Sequence, residues 1–325
     1  MRAIVCHEPA GPDALRLEEV PEPRPGPGQA RIRVRACGVN FADRLITRGQ
    51  YQKQPQAPFS PGFEVSGEVL ELGAGVTGIA VGDRVIAITP WGGYAEQVVA
   101  EVNRCVSMPA AMSWQHGAAF PVVFGTSHVA LWHRARLRAG EALVVHGASG
   151  GVGLTAVAIG KQLGATVIAT ASSPEKLEVA RAHGADHLID SSHEDVRARI
   201  KALTGGRGAD VVYDPVGGEV FTASLRSMAF EGRILVIGFA GGAVPQIPAN
   251  HLLVKNVDVI GVNWPAYADL NPRVMSESFR TLMQWFLDGK ISPHVSATYP
   301  LQQAVEALNQ VVGRKSTGKV VITVD

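Results

Sequence analysis

The glycines at 147, 150, 151 and 153 stand in VVHGASGGVGLTAV, where an apolar run gives way to a stretch of small residues. Glycine lacks the Cβ that would keep a pyrophosphate away from backbone N–H groups, and a helix beginning there adds partial positive charge. Ser149, Gly150, Gly151 and Val152 are therefore candidates for a dinucleotide cradle. The same letters spell Gly147-x-Ser149-x-Gly151, the turn that presents a nucleophilic serine in α/β-hydrolases. Asp214 followed by His251 or His294 would complete the chain order of a triad. Two features weigh against that alternative. Gly153 is surplus to a nucleophile elbow but belongs to the dinucleotide fingerprint, and no HGGG-type oxyanion segment precedes the motif. Roughly 20 residues after the glycines an NAD-binding turn carries an acid for the ribose 2′-hydroxyl. Here the text is TASSPEK. Ser172, Ser173 and Lys176 offer two hydroxyls and a cation, which suit a 2′-phosphate, so NADPH is the expected cofactor.

A second constellation lies in FSPGFEVSGEV, residues 59–69. Its pattern is Gly62-x-Glu64-x-x-Gly67, and the residue before the glutamate is Phe63, whose ring cannot ligate a metal. Other metal-type groupings fail on spacing. His183 and His187 are four apart, but Gly184 ends the helix between them. Cys6, Cys37 and Cys105 lie far apart and form no metal-type pair. They read as buried free thiols of a reducing cytoplasm. His146, just before the glycine turn, reads as a satisfied core residue.

These residues must be positioned by two kinds of element. The first third of the chain alternates apolar and polar residues over short runs, as in ARIRVRACGVN, GFEVSGEVLELG and GDRVIAI, with Pro/Gly-rich turns between. That predicts a mostly β domain, interrupted by one helix over residues 41–48 with Asn40 at its cap. From Glu141 the rhythm becomes strand, helix, strand. Strands are expected in ALVV, ATVIATA, DHLID, ADVVYD, GRILVIG and VDVIGVNW. Helices are expected over 154–163, from Pro174 to Gly184 with Ser173 as N-cap, over 196–203 and over 220–230. Such alternation is the signature of an α/β, doubly wound parallel sheet. A helix over 278–287 and a final strand, GKVVITVD, follow. The domain assignment is 1–121 with 265–325 for the β domain, and 122–264 for the nucleotide domain. The 325 residues carry a formal net charge of +1 and are 46% apolar. That composition is globular and gives no electrostatic reason to expect nucleic acid or an anionic membrane as a partner. No apolar run is long enough for a transmembrane helix, and MRAIVCHEPAGP has no apolar signal-peptide core.

Taken together, CGVNFADRLITRGQY, PGFEVSGEV, VGDRV, GGYAEQVV, GASGGVG, SSPEK, VVYDPVGG and GKVVI resemble the medium-chain dehydrogenase/reductase superfamily. The likeness is to its zinc-free quinone oxidoreductase branch, the relatives of zeta-crystallin, and covers nearly the whole chain. It implies a GroES-like β domain, a Rossmann domain, and NADPH as hydride donor to quinones or activated enones. The positions of the zinc branch's three ligands would be held here by Asn40, Phe63 and an apolar residue of FPVVF, which cannot assemble a zinc site. The family places Asn40, Asp43 and Tyr51 beside nicotinamide and substrate. Asn40 and Asp43 could equally be a reciprocal helix cap. The resemblance adds Thr126 near the nicotinamide amide, Gly217, Gly238 and Phe239 along the cofactor, Asn263 and Trp264 over the nicotinamide, and Arg314 as a second 2′-phosphate contact. Leu45 and Ser191 stand where relatives can carry tyrosines, leaving the substrate side more apolar and one phosphate contact unfilled.

The expected protein is thus a cytoplasmic, homodimeric, zinc-independent NADPH oxidoreductase acting on quinones or enones. The alternatives are an enoyl or acrylyl thioester reductase, or an NADPH-binding protein with little turnover.

Overall fold

Period-two patterning dictates the early elements of the computed structural model, which describes residues 1–325. In chain order these are β1 (Arg2–Val5), β2 (Arg16–Glu19), β3 (Gln29–Val39), α1 (Phe41–Ile46), β4 (Glu64–Leu72), β5 (Arg84–Ile88), β6 (Gln97–Glu101), β7 (Cys105–Ser107), α2 (Trp114–Ala118) and α3 (Pro121–His128). Next come β8 (Ala142–Val145), α4 (Gly151–Gln162), β9 (Thr166–Ala171), α5 (Pro174–Ala182), β10 (His187–Asp190), α6 (Val196–Leu203), β11 (Ala209–Asp214) and α7 (Gly218–Ser227). The chain continues through β12 (Met228–Val236), α8 (Ala249–Lys255), β13 (Asp258–Gly261), α9 (Tyr267–Leu270) and α10 (Pro272–Leu287), and ends with β14 (Val295–Pro300), α11 (Ala304–Val312) and β15 (Lys319–Thr323). Two units result, Met1–Val122 with Pro293–Asp325, and Val123–Ser292.

In the first unit a seven-stranded sheet runs β14-β15-β3-β4-β5-β7, with β6 also on β3. β14 and β15 are parallel and the other pairs antiparallel. β3 shows why the sequence folds so. Ala30, Ile32, Val34 and Ala36 are buried, while Arg31, Arg33 and Arg35 turn outward to Glu22, Glu71 and Glu68. In the second unit six parallel strands run β10-β9-β8-β11-β12-β13. The order reverses between β8 and β11, so a crevice opens beyond their carboxyl ends. Val144, Ile168, Val212 and Ile234 fill the core under it.

Several boundaries differ from expectation. The segment from Pro265 to Ser292, expected with the β domain, belongs to the second unit. There Ser278 of α10 hydrogen-bonds His128 at 2.9 Å. α7 ends at Ser227, and Met228–Phe230, expected as helix, open β12 instead, with Met228 paired to Ala209. α10 begins at Pro272, well before residue 278, because a proline fits the first helical turn. Cys6 and Cys37 are buried, whereas Cys105 is only half-buried.

Candidate active site

The nucleotide side is built at the ends of β8, β9, β11 and β12. β8 runs into Gly147, whose φ of 55° lies in the left-handed region. Gly150 is the N-cap of α4 and no side chain caps that helix, so the amides of Gly151, Val152 and Gly153 lack intrahelical acceptors. A Cβ on Gly153 would overlap the Gly147 carbonyl oxygen, so only glycine lets helix and turn approach this closely. A Cβ on Gly150 would meet nothing nearer than that oxygen, at 3.4 Å. The open space beside Gly150, faced by free amides at a helix N-terminus, fits a pyrophosphate. A hydrolase triad finds no support: the Asp214 carboxylate accepts from the backbone amides of Val216 and Gly217 and bonds no histidine, and both ring nitrogens of His146 are engaged, by Thr170 at 2.9 Å and Ser224 at 2.6 Å.

At the end of β9, Ser173 caps α5, its Oγ accepting from Lys176 N at 3.4 Å. The Ser173 hydroxyl also bonds the Glu175 carboxylate, which holds that acid below its usual pKa. Ser172 is exposed, and its Oγ accepts from Lys176 Nζ at 3.5 Å. Ser172 and Lys176 are thus better placed for an anion than Ser173. Ser191, where relatives can carry a tyrosine, turns its hydroxyl to Ala171 O at 3.0 Å.

Thr126 sits in α3, 9% exposed. Its neighbour Gly125 lies flat against the Trp264 indole, since a Cβ there would come within 2.5 Å of Cζ2. Trp264 is 2% exposed and packs edge-on to Phe279, and its Nε1 has no partner. It is a buried wall behind the Thr126 segment, while Asn263 beside it is exposed. Gly217 has φ 73°, and the place of its Cβ is 3.1 Å from Phe239 Cδ1, so the turns after β11 and β12 meet; Gly238 lies in the second of them, next to Phe239. Arg314 is exposed after α11 and belongs to the first unit, whereas Ser172 and Lys176 belong to the second.

The first unit holds a buried polar network. Asn40 and Asp43 form the reciprocal cap of α1, with Asn40 N donating to Asp43 Oδ2 at 2.7 Å. Asp43 is fully buried and also accepts from Gly62 N at 3.0 Å and Tyr94 Oη at 3.1 Å. Burial pushes its carboxyl up to about 7 against the pull of these donors and of Lys319. The Asn40 amide is equally committed. Its Oδ1 accepts from Lys319 Nζ at 2.8 Å, and its Nδ2 donates to Glu64 Oε1 at 2.8 Å and Gly38 O at 3.3 Å. Lys319 Nζ spends its other protons on Glu64 Oε1 at 2.7 Å and Val39 O at 2.8 Å. Glu64 Oε2 accepts the N–H of Val122, in the first turn of α3. Of the three expected catalytic side chains, only Tyr51 keeps a polar atom without a protein partner. Its ring leans on Phe63 at 5.1 Å, and burial, then the charge of Asp43, raise its phenol pKa. Glu64, Lys319 and Tyr94 were not among the residues picked from sequence. The available signal was a charge standing before an apolar strand, in FEVSGEV and GKVVIT.

A doubly wound parallel sheet with an open glycine turn at its switch point, in a chain that also forms an antiparallel β unit, is the architecture of a two-domain nucleotide-binding protein. Residues 26–110 match the alcohol dehydrogenase GroES-like domain and residues 151–288 the zinc-binding dehydrogenase family. Quinone oxidoreductase-like protein 2 of Rattus norvegicus is 42% identical over 99% of this chain and 92% of its own. The quinone oxidoreductase of Pseudomonas syringae pv. Tomato superposes with a TM-score of 0.94 at 33% identity, covering 99% of each chain. That of Escherichia coli, solved with NADPH, gives 0.93 at 29% identity over 99% of this chain and all of its own. The chain belongs to the quinone oxidoreductase family, the zinc-independent branch of the medium-chain dehydrogenases/reductases. Zinc, implied by the name of one matching family, does not fit the residues present. Phe63 offers no donor atom, the Asn40 amide is consumed by Lys319 and Glu64, and no three His, Cys, Asp or Glu side chains are grouped to hold a metal ion.

Proposed function

We propose that this chain is an NADPH-dependent, zinc-independent oxidoreductase acting on quinones or activated enones. The observation that carries this reading is the glycine-lined space at the N-terminus of α4, followed one strand later by Ser172 and Lys176 in place of an acid. The NADPH complex of the Escherichia coli relative supports it. The amides of Gly151 and Val152, next to Ser149 and Gly150, would hold the pyrophosphate, and Ser172, Ser173 and Lys176 the 2′-phosphate. Thr126, Gly217, Gly238, Phe239 and Asn263 would line the remaining length, backed by Trp264. Bound NADPH would supply a hydride, which a quinone or enone accepts to leave a phenolate or enolate that water can protonate. Asn40 and Asp43 hold α1 and the Gly62 turn rigid, and the Tyr51 hydroxyl is left to hydrogen-bond a substrate oxygen.

The proposal extends to a cytoplasmic homodimer, with a domain division near residues 122 and 292. Three free cysteines support a reducing compartment. β13 supports a dimer. It ends the parallel sheet, and Leu253 and Val254 of α8, which precedes it in the chain, are 78% and 77% exposed. The test is NADPH oxidation against quinones, simple ketones and enoyl thioesters. Turnover with quinones and none with ketones is expected. A preference for enoyl thioesters would move the substrate assignment, and NADPH binding without turnover would favour a binding protein.

A further inference from the structure

A row of polar side chains crosses the parallel sheet directly beneath the glycine turn. Val145 of β8 is paired with Ala169 of β9 and Tyr213 of β11. The next residues, Thr170, His146 and Asp214, therefore stand abreast on one face of three adjacent strands. All are buried, at 2%, 0% and 1% exposure. His146 hydrogen-bonds Thr170 on one side and Ser224 of α7 on the other. Burial holds its imidazole below the usual pKa, with the Asp214 charge pulling the other way. A neutral ring bonds one hydroxyl as donor and one as acceptor, which leaves the Asp214 carboxylate to be met by the backbone. Its Oδ1 accepts from Val216 N at 2.7 Å and Gly217 N at 2.9 Å, while its Oδ2 is buried with no partner. The turn so held places Val216 against the glycine turn, 3.2 Å from where a Cβ of Gly147 would be, and Gly217 against Phe239.

We infer that Asp214 is a positioning residue for the cofactor: through Oδ1 alone it fixes the Pro215–Val216–Gly217 turn that faces the Gly147 turn across the switch point. The inference rests on the NADPH reading above. Its chemistry makes asparagine and alanine unequal. Asparagine retains an Oδ1 for both amides and replaces only the unpartnered oxygen, whereas alanine removes the acceptor of both and leaves the turn tethered only from its other side, by Ala240 N to Pro215 O at 3.0 Å and Gly241 N to Val216 O at 2.8 Å.

The experiment measures NADPH affinity by fluorescence titration, steady-state KM and kcat, and Tm, for wild type, Asp214→Asn, Asp214→Ala and Asp214→Ser. For Asp214→Ala we expect Kd and KM for NADPH to rise roughly ten-fold or more with kcat within about three-fold. For Asp214→Asn both should stay within about three-fold of wild type. Asp214→Ser, whose hydroxyl accepts more weakly, should fall between, and it serves if the alanine variant does not fold. Wild-type affinity in the alanine variant, or in the serine variant standing in for it, would overturn the inference. So would an asparagine variant as weak as alanine, since charge rather than the turn would then matter. A wild-type protein that does not bind NADPH would overturn the cofactor reading itself, and this inference with it.

Discussion

At the scale of single residues, the first unit separates groups that hold from the one group that can reach. Asn40 and Asp43 have every polar side-chain atom committed, and Tyr51 does not. General acid catalysis typically contributes about 10²–10⁴-fold, but a quinone or enone is activated already. Tyr51→Phe should therefore lower kcat for a quinone by less than about 10²-fold; a greater loss at unchanged NADPH affinity would make Tyr51 the proton donor. Asp43 carries a pH signature. Its folded-state pKa of about 7 stands above the ordinary 3.8, so the native state holds this proton more tightly than the unfolded chain. That contribution is complete below pH ~4 and is lost as pH rises through about 7, up to about 4 kcal/mol in all. Urea denaturation across that window should show the stability of wild type falling relative to Asp43→Asn. A constant difference would mean that the three donors keep Asp43 ionised throughout.

At the scale of elements, two glycines of one turn are glycine for different reasons, and substitution separates them. Gly153 has the Gly147 carbonyl against it, so Gly153→Ala should lower Tm whether or not NADPH is present. Gly150 faces open space, so Gly150→Val should leave Tm nearly unchanged and abolish NADPH binding. Loss of both properties in Gly150→Val would remove the distinction between cradle and packing. The same turn marks what could be read from sequence. α5 was legible because Ser173, Pro174 and Gly184 are local signals, each acting within a turn of its own position. The glycine turn between β8 and α4 and the parallel alternation were legible on the same ground. The join of α7 to β12 was not. Met228–Phe230 suit a helix, but pairing with Ala209 draws them into the sheet. Nor could sequence tell that the Asn40 amide is spent, because its partners Glu64 and Lys319 are brought to it only by tertiary structure.

At the scale of the whole molecule, the first unit is made from both ends of the chain. β15 lies between β14 and β3, and the entire second unit is threaded between its two contributions. A chain truncated after Gly313 should thus retain the second unit and lose the first, read as protease resistance of residues 123–292 surviving while that of residues 1–122 disappears; persistent resistance of residues 1–122 would show β15 to be dispensable. The Lys319–Glu64 pair gives this arrangement a direction in time. Glu64 leaves the ribosome 255 residues before its counter-ion, on the order of 10–50 s at about 5–20 residues per second. Throughout that interval the nascent β strands cannot bury Glu64 without leaving a charge unpaired, a penalty of about 3–5 kcal/mol. The amino-terminal sheet is therefore expected to reach its full stability only once Lys319 and β15 have been made.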